Sequence, residues 1–128
     1  MEHIVVIGAG QAGASLVAKL RMLKFIGKIT LIGEEPVPPY QRPPLSKAYL
    51  LGDITQERLY LRPADYYHEQ NITLRLNARV ERVDAINHEV HVAGEVIAYD
   101  RLVFTTGSTP RKLPTRIGGA LAGVFTVR

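Results

Sequence analysis

His3-Ile4-Val5-Val6-Ile7 runs directly into Gly8-Ala9-Gly10-Gln11-Ala12-Gly13, a G-x-G-x-x-G turn set between an apolar strand and an apolar-periodic helix. Leu16, Leu20 and Leu23 follow at the i, i+4, i+7 spacing of one helix face, and the next strand, residues 28–32, ends at Gly33-Glu34-Glu35. In such a unit each glycine has its own task. Gly8 permits the tight turn, Gly10 lets the backbone approach a pyrophosphate, and Gly13 lets helix and strand pack closely, while the helix N-terminus offers unpaired N–H groups to phosphate. Glu34 follows the last glycine by about twenty residues, where an acid accepts hydrogen bonds from a ribose. Strand, turn, helix, strand and acid in register predict an adenine-dinucleotide site.

Residues 35–47 hold five of the eight prolines, which excludes a helix or a central strand there. Ser46 is expected to cap a short helix over 47–51 that stops at Gly52, and Pro63 to open another running to about Gln70. A third strand follows at 72–76. From 78 to 98 the pattern changes to short alternating runs, which predict a small antiparallel meander. Leu102-Val103-Phe104-Thr105 is then a buried strand, the fourth of the parallel sheet, and it ends in the turn Thr106-Gly107. Tyr66 and Tyr67 are expected to pack a helix face on the sheet. The four histidines lack metal-ligand spacing and carry no assigned role, and no metal is expected.

The chain has 128 residues, 46% of them hydrophobic, enough for one modest core. It contains no cysteine, so these residues form no disulfide and no thiolate metal site. The net charge of +4 is spread along the chain without a dense basic tract or an aromatic platform, which argues against nucleic acid and suits an anionic cofactor or an acidic protein partner. No apolar run approaches the roughly twenty residues of a membrane span, and the expected location is cytoplasmic.

With the glycine turn, Pro39-Tyr40-Gln41-Arg42-Pro43-Pro44-Leu45-Ser46-Lys47-Ala48-Tyr49-Leu50 and Tyr99-Asp100-Arg101-Leu102-Val103-Phe104-Thr105-Thr106-Gly107-Ser108-Thr109-Pro110-Arg111 in this order, the whole chain resembles the FAD-dependent ferredoxin reductases of bacterial oxygenase systems. The resemblance implies an α/β Rossmann-type FAD-binding domain in three layers, a parallel sheet with a small antiparallel meander. It further implies that NADH delivers hydride to FAD and that electrons leave singly to an iron–sulfur ferredoxin. The FAD contacts it carries over fall on Ala12 in the phosphate turn, Glu34 at the adenosine ribose, Lys47 beside the flavin ring, Val80 near the adenine, Thr106 and Gly107 over the adenosine half, and Arg128. Arg42 and Pro44, on the same proline loop, are expected to border the pyrophosphate and ring. Lys47 is the candidate for catalysis, since a cation near the reactive edge favours the anionic reduced ring; no complete catalytic set is legible.

Members of that family add a second dinucleotide domain for NADH, a return segment that completes the FAD domain, and a further C-terminal domain. Residues 1–128 therefore read as the first part of a FAD/NAD(P)-binding Rossmann domain and as an incomplete copy of it: the fingerprint unit 4–34, the proline-rich flavin loop 35–47, the meander 78–98, and the last strand with its Thr-Gly turn 102–110. The strand at 102–105 is expected to leave a hydrophobic open edge. Expected of these residues alone are weak or absent FAD retention, no NADH oxidation, and self-association or pairing with a complementary chain. Two other readings stay open: a non-catalytic module that takes NAD, ADP or FAD without turnover, and a fragment that serves only to recruit a partner chain.

Overall fold

A computed structural model describes residues 1–127. The first strand, β1 (His3–Ile7), leads through the glycine turn into α1 (Gln11–Met22) and on to β2 (Lys28–Ile32). The proline-rich stretch and a four-residue helix, α2 (Tyr66–Glu69), precede β3 (Ile72–Arg75). Three short strands then follow, β4 (Val80–Asp84), β5 (Glu89–Val92) and β6 (Glu95–Ala98), before β7 (Arg101–Phe104).

Strands β1, β2, β3 and β7 form one parallel sheet in the order β3-β2-β1-β7, and β4-β5-β6 form an antiparallel sheet. Parallel strands covered on both faces read as continuous apolar runs, which explains Ile4 to Ile7. Ile4 and Val6 point to one face, with Ile29, Leu31 and Ile72, and pack against Val17 of α1 and Tyr67 of α2. Val5 and Ile7 point to the other and pack with Ile32 against Val90 and Val92 of the meander. Three layers result: helices, parallel sheet, meander. This is the Rossmann-type α/β architecture expected from the sequence. Among the described residues β7 pairs only with β1, so its outer edge ends the sheet; the strand is therefore not buried as expected, Leu102 and Val103 being half-buried and Phe104 61% exposed.

Two helices differ from expectation. The helix foreseen over 47–51 is replaced by a 3-10 turn at Pro43–Ser46, of which Ser46 is the last residue and not the cap. The physical reason is the pair Pro43-Pro44, whose fixed φ and missing N–H groups favour starting the helical turn at those residues. Single turns follow to Gly52, which stops them with a φ of +78° as expected. The helix foreseen from Pro63 shortens to Tyr66–Glu69, with the Tyr66 N–H donating to the Pro63 carbonyl at 3.1 Å. Further 3-10 turns at Gln56–Leu59 and Thr115–Ile117 carried no sequence signal that was read. Tyr67 is buried as expected, and burial pushes its phenol up to about 12.

One side chain joins the end of α1 to two neighbouring segments. The Arg21 guanidinium donates to the carbonyls of Phe25, Gly27, Gln70 and Asn71 at 2.6–2.9 Å, tying the α1–β2 turn to the end of α2. Charged hydrogen bonds of this kind are worth about 1.5–3 kcal/mol each where buried and less where solvent competes. Arg21→Ala is expected to lower stability by roughly 2 kcal/mol, and Arg21→Lys to recover little, because an ammonium lacks the planar fork that reaches four carbonyls. Urea unfolding midpoints of the two variants check this.

His3 makes the fold sensitive to pH. Its ring Nε2 lies 2.9 Å from the Thr30 hydroxyl, and burial first, then the nearby Lys28, hold its pKa below the ordinary histidine value, with a hydrogen bond to the Ala98 backbone and then Asp100 opposing. The unfolded chain therefore takes up a proton before the folded one does. The stability contributed by neutral His3 is full above about pH 6.5 and is lost as the pH falls through that value toward the lowered folded pKa. His3→Gln should flatten this part of the profile, measured as urea midpoints at pH 7.5 and 5.5.

Candidate functional site

The C-terminal ends of β1, β2 and β7 open into a cleft of about 740 Å³, at the point where the chain leaves β1 for β2 on one side while β7 lies on the other. Ligands of open α/β sheets bind at such switch points. The glycine turn forms its floor. Gly8 has a φ of +113°, and a Cβ there would overlap the Thr105 carbonyl. The Gly8 N–H donates to the Ile32 carbonyl at 2.8 Å, and the Thr105 hydroxyl donates to the Gly8 carbonyl at 2.8 Å. A Cβ at Gly13 would overlap the Gly8 carbonyl oxygen and come within 2.9 Å of the Thr105 hydroxyl oxygen. A Cβ at Gly10, in contrast, meets nothing within 4 Å.

Gly10 also begins α1, its carbonyl accepting from the Ala14 N–H at 3.0 Å. No side chain caps this helix end and its first turn holds no acid, so its N–H groups and the positive end of its dipole face the cleft uncompensated.

The rim carries two ion pairs. Glu34 is bonded to Arg79 at 2.7 Å and Glu35 to Arg42 at 2.7 Å, and all four residues line the cleft. Tyr40 donates to the other oxygen of Glu35 at 2.8 Å, and the Arg42 guanidinium lies 5.3 Å from the Tyr40 ring centroid.

Of the residues selected from the sequence, Gly8, Gly10, Ala12, Glu34, Arg42, Val80, Thr106 and Gly107 line this one cleft, although they come from five separate stretches of chain. Gly13 is buried beneath it. Pro44 and Lys47 are not among the lining residues; Lys47 is exposed and its ammonium donates to the Pro43 carbonyl at 3.3 Å. Arg128 lies outside the described residues. The lining also includes Glu35, Tyr40, Arg79 and Thr105, which sequence reasoning had not selected. Arg79 precedes Val80, but nothing local signals a partner 45 residues earlier.

No group of three or more histidine or acidic side chains among the described residues could hold a metal ion. No helix among them is long and apolar enough to cross a membrane.

Comparison with known proteins gives consistent relatives. The chain is 47% identical to rhodocoxin reductase of Rhodococcus erythropolis over 126 residues, 98% of this chain and 29% of that protein. It is 46% identical to the ferredoxin–NAD(+) reductase component of the p-cumate 2,3-dioxygenase system of Pseudomonas putida, over 94% of this chain and 30% of that one. The reductase in the covalent putidaredoxin reductase–putidaredoxin complex superposes with a TM-score of 0.86 at 42% identity, over 88% of this chain and 27% of its own. The chain thus spans about 30% of the length of the curated relatives it matches. Residues 2–128 match the model of one family across almost the full sequence. The chain belongs to the pyridine nucleotide-disulphide oxidoreductase family.

Proposed function

We propose that residues 1–128 form the FAD-binding part of an NADH-dependent ferredoxin reductase, passing electrons from NADH through FAD to an iron–sulfur ferredoxin of an oxygenase system. The observation that carries this reading is the open space above Gly10, at the uncapped start of α1, on a cleft shared with Glu34. A pyrophosphate fits there because the backbone offers donors and no side chain fills the approach. Gly10, Ala12 and the α1 N-terminus would hold the phosphates, with Arg42 beside them. Glu34 would accept from the adenosine ribose, and Val80 and the Thr106-Gly107 turn would border the adenosine half. When bound, FAD supplies the step between a two-electron donor and a one-electron acceptor. The names of the relatives support the ferredoxin as partner.

These residues by themselves are expected to bind FAD weakly and to turn over no NADH, since the relatives are about three times as long and hydride transfer depends on positioning both cofactors. A second reading, a dinucleotide-binding module without turnover, is favoured by Pro44 and Lys47 not lining the cleft. Calorimetric titration with FAD, NAD and ADP separates the two. The reductase reading expects FAD to bind at least tenfold more tightly than NAD. Equal affinities would favour the module.

A further inference from the structure

Glu35 stands where three segments meet. Its two carboxylate oxygens accept from Arg42 at 2.7 Å and from the Tyr40 hydroxyl at 2.8 Å, and its main-chain carbonyl accepts from the Asn77 N–H at 2.9 Å. The proline loop is fastened behind it, with the Gln41 N–H donating to the Leu59 carbonyl and the Leu61 N–H to the Pro39 carbonyl. The carboxylate thus joins the end of β2 to the loop that carries Arg42 into the cleft.

Charge alone makes Glu35 a poor neighbour for a dinucleotide, because a carboxylate lining the cleft repels a pyrophosphate. Geometry argues the opposite. Among the described residues one hydrogen bond engages the Arg42 guanidinium, at one of its nitrogens; a guanidinium has five donors. Arg42 is 37% exposed at its side chain and sits on a loop, so unrestrained it would sample many rotamers. The Glu35 carboxylate and the Tyr40 ring, themselves hydrogen-bonded, together fix where its remaining donors lie.

We propose that Glu35 is a positioning residue that acts through Arg42, holding the guanidinium ready for the diphosphate of FAD. This rests on the reading of the cleft given above. The two explanations differ in sign. If Glu35 contributes only its charge, Glu35→Ala tightens FAD binding; if it positions Arg42, Glu35→Ala weakens it.

The experiment is equilibrium titration of the 128-residue chain with FAD and with ADP, for wild type, Glu35→Ala, Glu35→Gln, Arg42→Ala and the Glu35→Ala/Arg42→Ala double variant, with the thermal midpoint recorded for each. We expect Glu35→Ala to weaken FAD about tenfold and Glu35→Gln, which retains an acceptor, about threefold. With Arg42 already removed, Glu35→Ala should change affinity by less than about twofold, which a merely structural defect would not produce. Unchanged or tighter binding by Glu35→Ala, or an equal loss with and without Arg42, overturns the inference while leaving the cleft assignment intact. A wild-type chain that binds neither FAD nor ADP saturably overturns the cleft assignment, and the inference with it.

Discussion

Gly13→Ala is expected to destabilise the fold by about 2–4 kcal/mol, although alanine is the better helix former. Helix propensity favours the substitution by about 1 kcal/mol. Against this, the added methyl group would overlap the Gly8 carbonyl oxygen and lie 2.9 and 3.1 Å from the Thr105 hydroxyl and a Leu31 methyl group. Overpacking costs about 1–3 kcal/mol where side chains can yield, and more where the obstacle is backbone. Here the obstacle is the turn itself, which the Thr105 hydroxyl and the Ile32 carbonyl already fix. Sterics therefore outweigh propensity. Urea unfolding read by circular dichroism decides it: a variant as stable as wild type would mean that α1 sits further from β1 than the structure has it.

Gly10→Val is expected to do the reverse, leaving stability within about 1 kcal/mol while weakening FAD and ADP binding at least a hundredfold. Gly10 has a φ of −94° and a ψ of −163°, extended backbone open to any residue. Valine at a helix N-cap costs up to about 1 kcal/mol relative to glycine. Lower entropy of the unfolded chain offsets about half of that. A Cβ built at Gly10 meets nothing within 4 Å, so the valine branches from there into the space assigned to the pyrophosphate. Titration and melting of the same sample separate the two effects. A Gly10→Val variant that binds ADP like wild type would remove the phosphate from this turn.

Together the two substitutions test a division of one motif between architecture and ligand that is expected from the sequence. The strand–turn–helix unit is local: its signals are a change of apolar period from two to 3.6 and glycines at fixed offsets, all within about thirty residues. The meander was legible for the same reason, through the short apolar runs at Val80 and Val83 and at Val90 and Val92, although the register shift between Val80 and Arg82 was not. The short helices near Ser46 and Pro63 were misjudged because a four-residue turn gains too little from propensity to declare itself against tertiary packing. Arg21 and Arg79 were not selected because their partners are distant in sequence, and Glu35 because its partners Tyr40 and Arg42 lie on an irregular proline loop that no periodicity places. Nothing in the sequence around Arg21 reports the carbonyls of Gln70 and Asn71 that it holds. The pair of Glu34 with Arg79 exists only once β2 and the β3–β4 connection are side by side. Lys47 shows the opposite limit: the motif that names it is specific, yet in the described residues its ammonium rests on the Pro43 carbonyl.

The most direct test of the cleft assignment is an equilibrium titration of FAD fluorescence with the purified chain, repeated in the presence of excess ADP. The account predicts saturable one-to-one binding that ADP displaces and that Gly10→Val abolishes. Binding that is non-saturable, indifferent to ADP, or unchanged in Gly10→Val would contradict it.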